Sequence, residues 1–296
     1  MTRSGVRAAV AGALVAAPFS LSIGSLGFAQ GAPDLDTLTM QRAAADICAG
    51  KLTSKALVKA SLDRAKAKPE LNAFITLDEA GAMKAASAFD SSRKRGACKP
   101  LGGIPLVIKD NIEVAGLPAT AGTPALKNFV PKKDAPVVQK LRAAGAIIIG
   151  KTNMHELAFG ISGYNLAFKT GSDPGVRNAY DITRIAGGSS SGTGAAIGAR
   201  IVTAGLGTDT GGSVRIPCAL NGCAALRPTV GRYSQQGIAP ISRTRDTAGP
   251  MAATVGDVAI LDRAIAGVND FLPPSVVQSQ HERQTLVIGG RLDGVL

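Results

Sequence analysis

The sequence predicts an α/β domain built on a largely parallel sheet buried on both faces. Two observations carry this. From residue 101 onward, short apolar runs alternate with helical patterns: strand 104–108, helix 134–144, strand 146–149 and helix 192–200. The run Ala146-Ile147-Ile148-Ile149 is apolar without alternation, as a strand covered on both sides must be. The chain has 296 residues, 45% of them hydrophobic and 18% charged, enough to bury a core without staples.

The first thirty residues stand apart. Arg3 and Arg7 form a basic n-region, Ala8 to Ala17 is a small-apolar run, and Gly27-Phe28-Ala29 resembles a small-x-small cleavage site. Residues 1–29 are therefore expected to be an export signal, with a single domain at 30–296 in the periplasm or secreted. Pro18 and the Ser and Gly residues after it dilute the apolar run, and no later segment reads as a membrane span. Export would place Cys48, Cys98, Cys218 and Cys223 in an oxidising compartment. Four cysteines allow three pairings, among which sequence does not choose.

After Pro33 the pattern is helical. Ala43, Ala44, Ile47 and Cys48 recur on one face, and Gly50 ends that run. Thr53 or Ser54 caps a second helix carrying Leu57, Val58, Leu62 and Ala65. Residues 72–77 read as a strand, and Asp78 starts another helix.

Composition removes several functions. Lys and Arg exceed Asp and Glu by 33 − 21 = 12, but the basic residues are dispersed, so a solvated basic surface is expected rather than a nucleic-acid groove. Two His and no CxxC spacing disfavour metal sites, and 11 aromatics without Trp disfavour a stacking platform. The 36 glycines have no Gly-X-Y period and point to tight turns and close backbone approaches.

Two motifs match by letter and fail by physics. Gly145 to Thr152 fits the P-loop pattern, but its interior is a β-branched run made for a buried strand rather than a phosphate cradle. Gly188-Ser189-Ser190-Ser191-Gly192 fits the nucleophile elbow with Ser190 at its centre. The histidine this chemistry needs downstream is His281, set in a polar, loop-like stretch; His155 precedes the motif and has no second His at i+4. A Ser190–His281 esterase is thus poorly supplied.

What remains is serine, glycine and lysine. Gly187 to Thr193 is followed by Gly207-Thr208-Asp209-Thr210-Gly211-Gly212-Ser213-Val214-Arg215-Ile216-Pro217. Such runs can present backbone N–H groups without Cβ obstruction, which gives a serine at their end ready oxyanion donors; alone, each also reads as an ordinary Gly/Ser loop. The strand Gly103 to Ile108 ends at Lys109-Asp110-Asn111, where the lysine is either a cation reaching water or a desolvated base.

Together with Lys151-Thr152-Asn153-Met154 and Leu226 to Arg232, these blocks resemble the amidase signature family from about residue 40 to the C-terminus. The spacing 213 − 189 = 24 also fits. The resemblance implies a mixed, largely parallel sheet with helices on both faces, and a Ser–cis-Ser–Lys triad. In it Ser213 is the acyl-forming nucleophile, Ser189 the bridging serine on a cis peptide, and Lys109 the neutral base. The amides of Thr210, Gly211, Gly212 and Ser213 would form the oxyanion hole, with Ser190, Asp209 and Arg215 in support. No metal or cofactor is required. The implied substrate is a small carboxylic amide, and a homodimer is compatible. Segments 227–233 and 241–250 look closest to indoleacetamide- and mandelamide-hydrolase-type members; the competitor is the amidotransferase component that works on misacylated glutamyl-tRNA. Family members are longer, so the chain is expected to lack the last third of the domain. An inactive or fragmentary homologue is the alternative outcome.

Overall fold

The computed structural model describes residues 1–2, 32–93, 98–169 and 175–266. The chain divides into two compact units, Met1–Gly31 and Ala32–Leu296, and the second carries the sheet and its helices. The predicted export segment lies outside the described residues but for its first two, and His281 lies outside them as well.

Among the described residues, six strands form one mixed sheet in the order β1-β3-β2-β4-β6-β5. They are β1 (Phe74–Leu77), β2 (Pro105–Lys109), β3 (Ile147–Thr152), β4 (Ala204–Asp209), β5 (Ala224–Ala225) and β6 (Thr247–Ala252). The parallel part is its centre: β2 runs parallel to both β3 and β4, with Lys109 opposite Thr152 and Ile108 opposite Leu206. The outer pairings, β1 with β3 and β6 with β4 and β5, are antiparallel.

Seven α-helices are described: α1 (Met40–Cys48), α2 (Ser54–Ala67), α3 (Glu79–Ser92), α4 (Pro136–Ala143), α5 (Ser191–Gly198), α6 (Arg215–Asn221) and α7 (Val255–Ile265). Their starts follow capping chemistry. The Thr39, Thr53 and Thr254 hydroxyls and the Asp78 carboxylate each accept a backbone N–H from the first turn, and Pro136 opens α4 at a position where no N–H is needed.

The pleat of the sheet separates two cores. Leu106 and Ile108 of β2 and Ile148 of β3 face one side, where Ile47, Val138, Leu141, Leu261 and Ile265 pack from α1, α4 and α7. Val107, Ile147 and Ile149 face the other, against Val58 and Leu62 of α2, Ala82 and Ala86 of α3, and Ala195 to Ile197 of α5. Helices therefore cover both faces. Every residue of β2 and β3 is buried, including the P-loop look-alike Gly150-Lys151-Thr152, so that stretch is a sheet interior with no exposed amides to cradle a phosphate.

The cysteines pair as Cys48–Cys98 and Cys218–Cys223, with Cα separations of 5.5 and 4.5 Å. Among the described residues, no helix is long and apolar enough to cross a membrane.

Candidate active site

The site forms where the parallel strands end. Lys109 is the last residue of β2, so its side chain leaves the sheet at the C-terminal edge beside the start of α5. Chain geometry fixes that start closely. The Gly192 N–H donates to the Asn153 carbonyl at 2.9 Å, and the His155 N–H donates to the Ser189 carbonyl at 3.2 Å. A Cβ on Gly192 would lie 2.2 Å from the Ala73 carbonyl oxygen, so only glycine lets α5 come this near β1 and β3. The hydroxyls of Thr152 and Thr193 meet at 2.7 Å and tie the helix to β3 again.

The peptide between Gly188 and Ser189 is cis. Ser189 is fully buried, and Lys109 Nζ lies 2.7 Å from its Oγ. Nζ lies equally close, 2.7 Å, to Thr208 Oγ1 on β4. Asn111, also buried, donates its Nδ2–H to that same threonine hydroxyl at 3.1 Å. Burial lowers the Lys109 ammonium to a pKa of about 7; the Asp209 and Asp246 charges pull upward but do not restore it. Of the two sequence readings, the cation reaching water is excluded by the full burial of Lys109.

Ser213 is buried and sits beside the first Gly/Ser loop, its carbonyl accepting the Ser190 N–H at 3.1 Å. Ser190, centre of the elbow pattern, is occupied structurally: its Oγ accepts the Thr208 N–H and donates to the Thr208 carbonyl, each at 3.2 Å. A nucleophile needs a hydroxyl that is not tied up in structural bonds, and the Ser190 hydroxyl is instead a link between α5 and β4.

Asp209 organises the second loop from inside. Its carboxylate accepts the Gly212 N–H at 2.7 Å and the Val214 N–H at 3.2 Å, and Arg215 from two nitrogens at 3.1 Å each. Burial raises this carboxyl, but the Arg215 and backbone donors outweigh it, so its pKa lies below the ordinary value. Arg227 adds contacts to the Asp209 carbonyl at 2.5 Å and carboxylate at 3.4 Å. The Gly212 N–H, one of the amides expected at an oxyanion hole, donates to the Asp209 carboxylate.

Three contributors escaped sequence reading. Thr208 meets Lys109 from 99 positions along the chain, and Asn111 meets Thr208 from 97. Asp246 accepts the Thr210 hydroxyl at 2.5 Å and the Ile241 and Ser242 N–H groups at 2.8 Å each, holding the Gly-rich loop to segment 241–246. The only hint was local: a threonine follows the Gly-Leu-Gly run of β4, where a polar side chain is out of place in a buried strand.

His155 is half-buried on the same rim. Burial holds its ring pKa below the ordinary value, with Glu156 opposing and Lys109 reinforcing that shift. The residues after it, Leu157, Phe159 and Ile161, leave apolar surface exposed beside the Ser189 loop.

The profile of the Amidase family matches residues 56–289. The chain is 52% identical over 251 residues to mandelamide hydrolase of Pseudomonas putida, covering 84% of this chain and 49% of that protein. It is 44% identical to the A subunit of the glutamyl-tRNA(Gln) amidotransferase of Roseiflexus sp. (strain RS-1), covering 80% and 48%. The peptide amidase structure from Stenotrophomonas maltophilia superposes with a TM-score of 0.75 at 40% identity, over 81% of this chain and 51% of that one. The chain thus spans about half the length of the curated relatives it matches. A fully buried lysine–serine contact on a Gly/Ser scaffold, a sheet shared with solved amidases and a profile match over most of the sequence lead to one assignment: the chain belongs to the amidase family.

Proposed function

We propose that this protein is an amidohydrolase that cleaves the C–N bond of a small carboxylic amide through an acyl-enzyme. The observation that carries the reading is the buried 2.7 Å contact between Lys109 Nζ and Ser189 Oγ, with the lysine brought to about pKa 7. Neutral Lys109 takes the Ser189 proton, and Ser189 takes that of Ser213 as the Ser213 Oγ bonds to the amide carbon. The developing oxyanion is stabilised by the Thr210, Gly211 and Ser213 amides. The C–N bond breaks as the nitrogen receives the relayed proton, and ammonia leaves. Water, deprotonated by the same relay, then attacks the ester, releasing the acid and restoring Ser213.

The 52% identity to a mandelamide hydrolase and the apolar rim of Leu157, Phe159 and Ile161 support an aryl-bearing acyl group. The two disulfides support export to an oxidising compartment, for which residues 1–29 are the proposed signal.

Ammonia release from a panel of aliphatic and arylacetic primary amides tests the reading. Turnover with preference for aryl substrates is expected, and Ser213→Ala is expected to lower kcat at least about a thousandfold. Full activity in Ser213→Ala overturns the mechanism. Absence of turnover across the panel by a folded protein supports the inactive homologue instead. The 44% identity to an amidotransferase component motivates one further arm, activity only with misacylated glutamyl-tRNA.

A further inference from the structure

We infer that Thr208 is a positioning residue for the base, turning the Lys109 lone pair onto Ser189. The inference rests on the reading of Lys109 as the base. A neutral primary amine has one lone pair and two N–H groups, and the Lys109 amine has two hydroxyls at 2.7 Å, Ser189 Oγ and Thr208 Oγ1. The two neighbours cannot play the same part in a proton transfer. For the lone pair to take the Ser189 proton, Thr208 must accept a Lys109 N–H. With the parts exchanged, the lone pair faces a threonine that leads nowhere, and the relay stalls.

The surroundings fit Thr208 to the acceptor part. Asn111 directs its Nδ2–H at the threonine oxygen from 3.1 Å, occupying one of its lone pairs and fixing the χ1 of the side chain. The second lone pair meets Lys109. The backbone of Thr208 is pinned at both polar atoms by the Ser190 hydroxyl, next in chain to Ser189, so acceptor and proton donor are held on one frame around the amine. Lys109, Asn111, Ser189 and Thr208 are all buried, leaving little room for water to take over the acceptor part. A valine at 208 keeps the shape and removes the acceptor.

The test is a pH–rate comparison of the full chain with Thr208→Val, Thr208→Ser and Asn111→Ala. Thr208→Val is expected to lower kcat about tenfold or more with KM within about twofold. Its acid limb is expected to move to lower pH, because the lost acceptor stabilised ammonium more than amine. Thr208→Ser, which keeps the hydroxyl, is expected to restore both. Asn111→Ala is expected to give a smaller fall of the same kind and serves as the readout if Thr208→Val does not unfold cooperatively. A wild-type kcat and an unmoved acid limb in the folded Thr208→Val variant, or in Asn111→Ala where that one fails to fold, overturn the inference. Lys109→Met separates the two levels: if it keeps activity, the base assignment itself falls. If it is inactive while Thr208→Val is wild-type, only the role of Thr208 falls.

Discussion

Two lysines lie one register step apart on the neighbouring strands β2 and β3, both wholly inside the protein, and their surroundings differ. Among the described residues, the Lys109 amine hydrogen-bonds two hydroxyls, Ser189 and Thr208. Lys151 meets a carboxylate, Asp110 Oδ1 at 3.2 Å, with the Pro118 carbonyl at 2.9 Å and the Asp110 carbonyl at 3.4 Å. Burial lowers the pKa of both, but at Lys151 the adjacent Asp110 charge and hydrogen bond work against the shift. Asp110 is held in turn by the Thr120 N–H at 2.8 Å and by the Thr120 hydroxyl. In the proposed mechanism Lys109 exchanges a proton with Ser189, while Lys151 is a strut held to Asp110, the residue after Lys109. The difference lies in contact: carboxylates act on Lys109 only through their charge, whereas Asp110 bonds Lys151 directly.

Truncating each lysine in turn tests the contrast most directly. Lys109→Met is expected to lose at least about three orders of magnitude in kcat while costing about 1–3 kcal/mol of unfolding free energy, that of one unpartnered hydroxyl at Ser189, because Thr208 keeps its Asn111 partner. Lys151→Met leaves Asp110 as an uncompensated buried charge and is expected to lose about 3–5 kcal/mol in urea unfolding. Equal stability losses in the two variants would erase the distinction.

The pH dependence probes the same contrast through smaller effects. The base works when neutral, so kcat/KM is expected to rise with pH through an apparent pKa of about 7. Stability runs the same way. Native Lys109 releases its proton near pH 7, whereas the unfolded chain keeps it to about 10.4, so the unfolded state binds more protons between these values. Stability therefore rises across that window, and Lys109→Met is expected to make the slope shallower. An unchanged slope in urea titrations at pH values of about 7 and about 9 contradicts the lowered pKa.

Much of this was legible in the sequence, for physical reasons. The β-branched run at 146–149 could only be a covered strand, and the caps at Thr53 and Asp78 mark helix starts by local chemistry alone. Lys109, Ser189 and Ser213 stand in motifs whose glycines are required by close approach and tight turning. The parts played by Thr208 and Asn111 were hidden because their meaning depends on a partner brought in by strand pairing. The commitment of the Gly212 amide to Asp209 was hidden because one glycine N–H in a run looks like any other. The cysteine pairing depended on which loop ends the sheet brings together.

The two disulfides also differ in what they do to the chain before it folds. Cys48–Cys98 closes a loop of 50 residues and Cys218–Cys223 one of 5. By loop-closure entropy the first restricts the denatured ensemble by about 4 kcal/mol and the second by about 2 kcal/mol. The short bridge, five residues beyond Ser213, removes few denatured conformations. The long bridge joins the end of α1 to the approach to β2, linking the helical entry of the chain to the strand that ends in Lys109. Double serine replacement at 48 and 98 is thus expected to destabilise the protein more than replacement at 218 and 223, as thermal unfolding would read. The loop the long bridge closes holds α2, β1 and α3, so it is these elements whose search through unfolded space it shortens most.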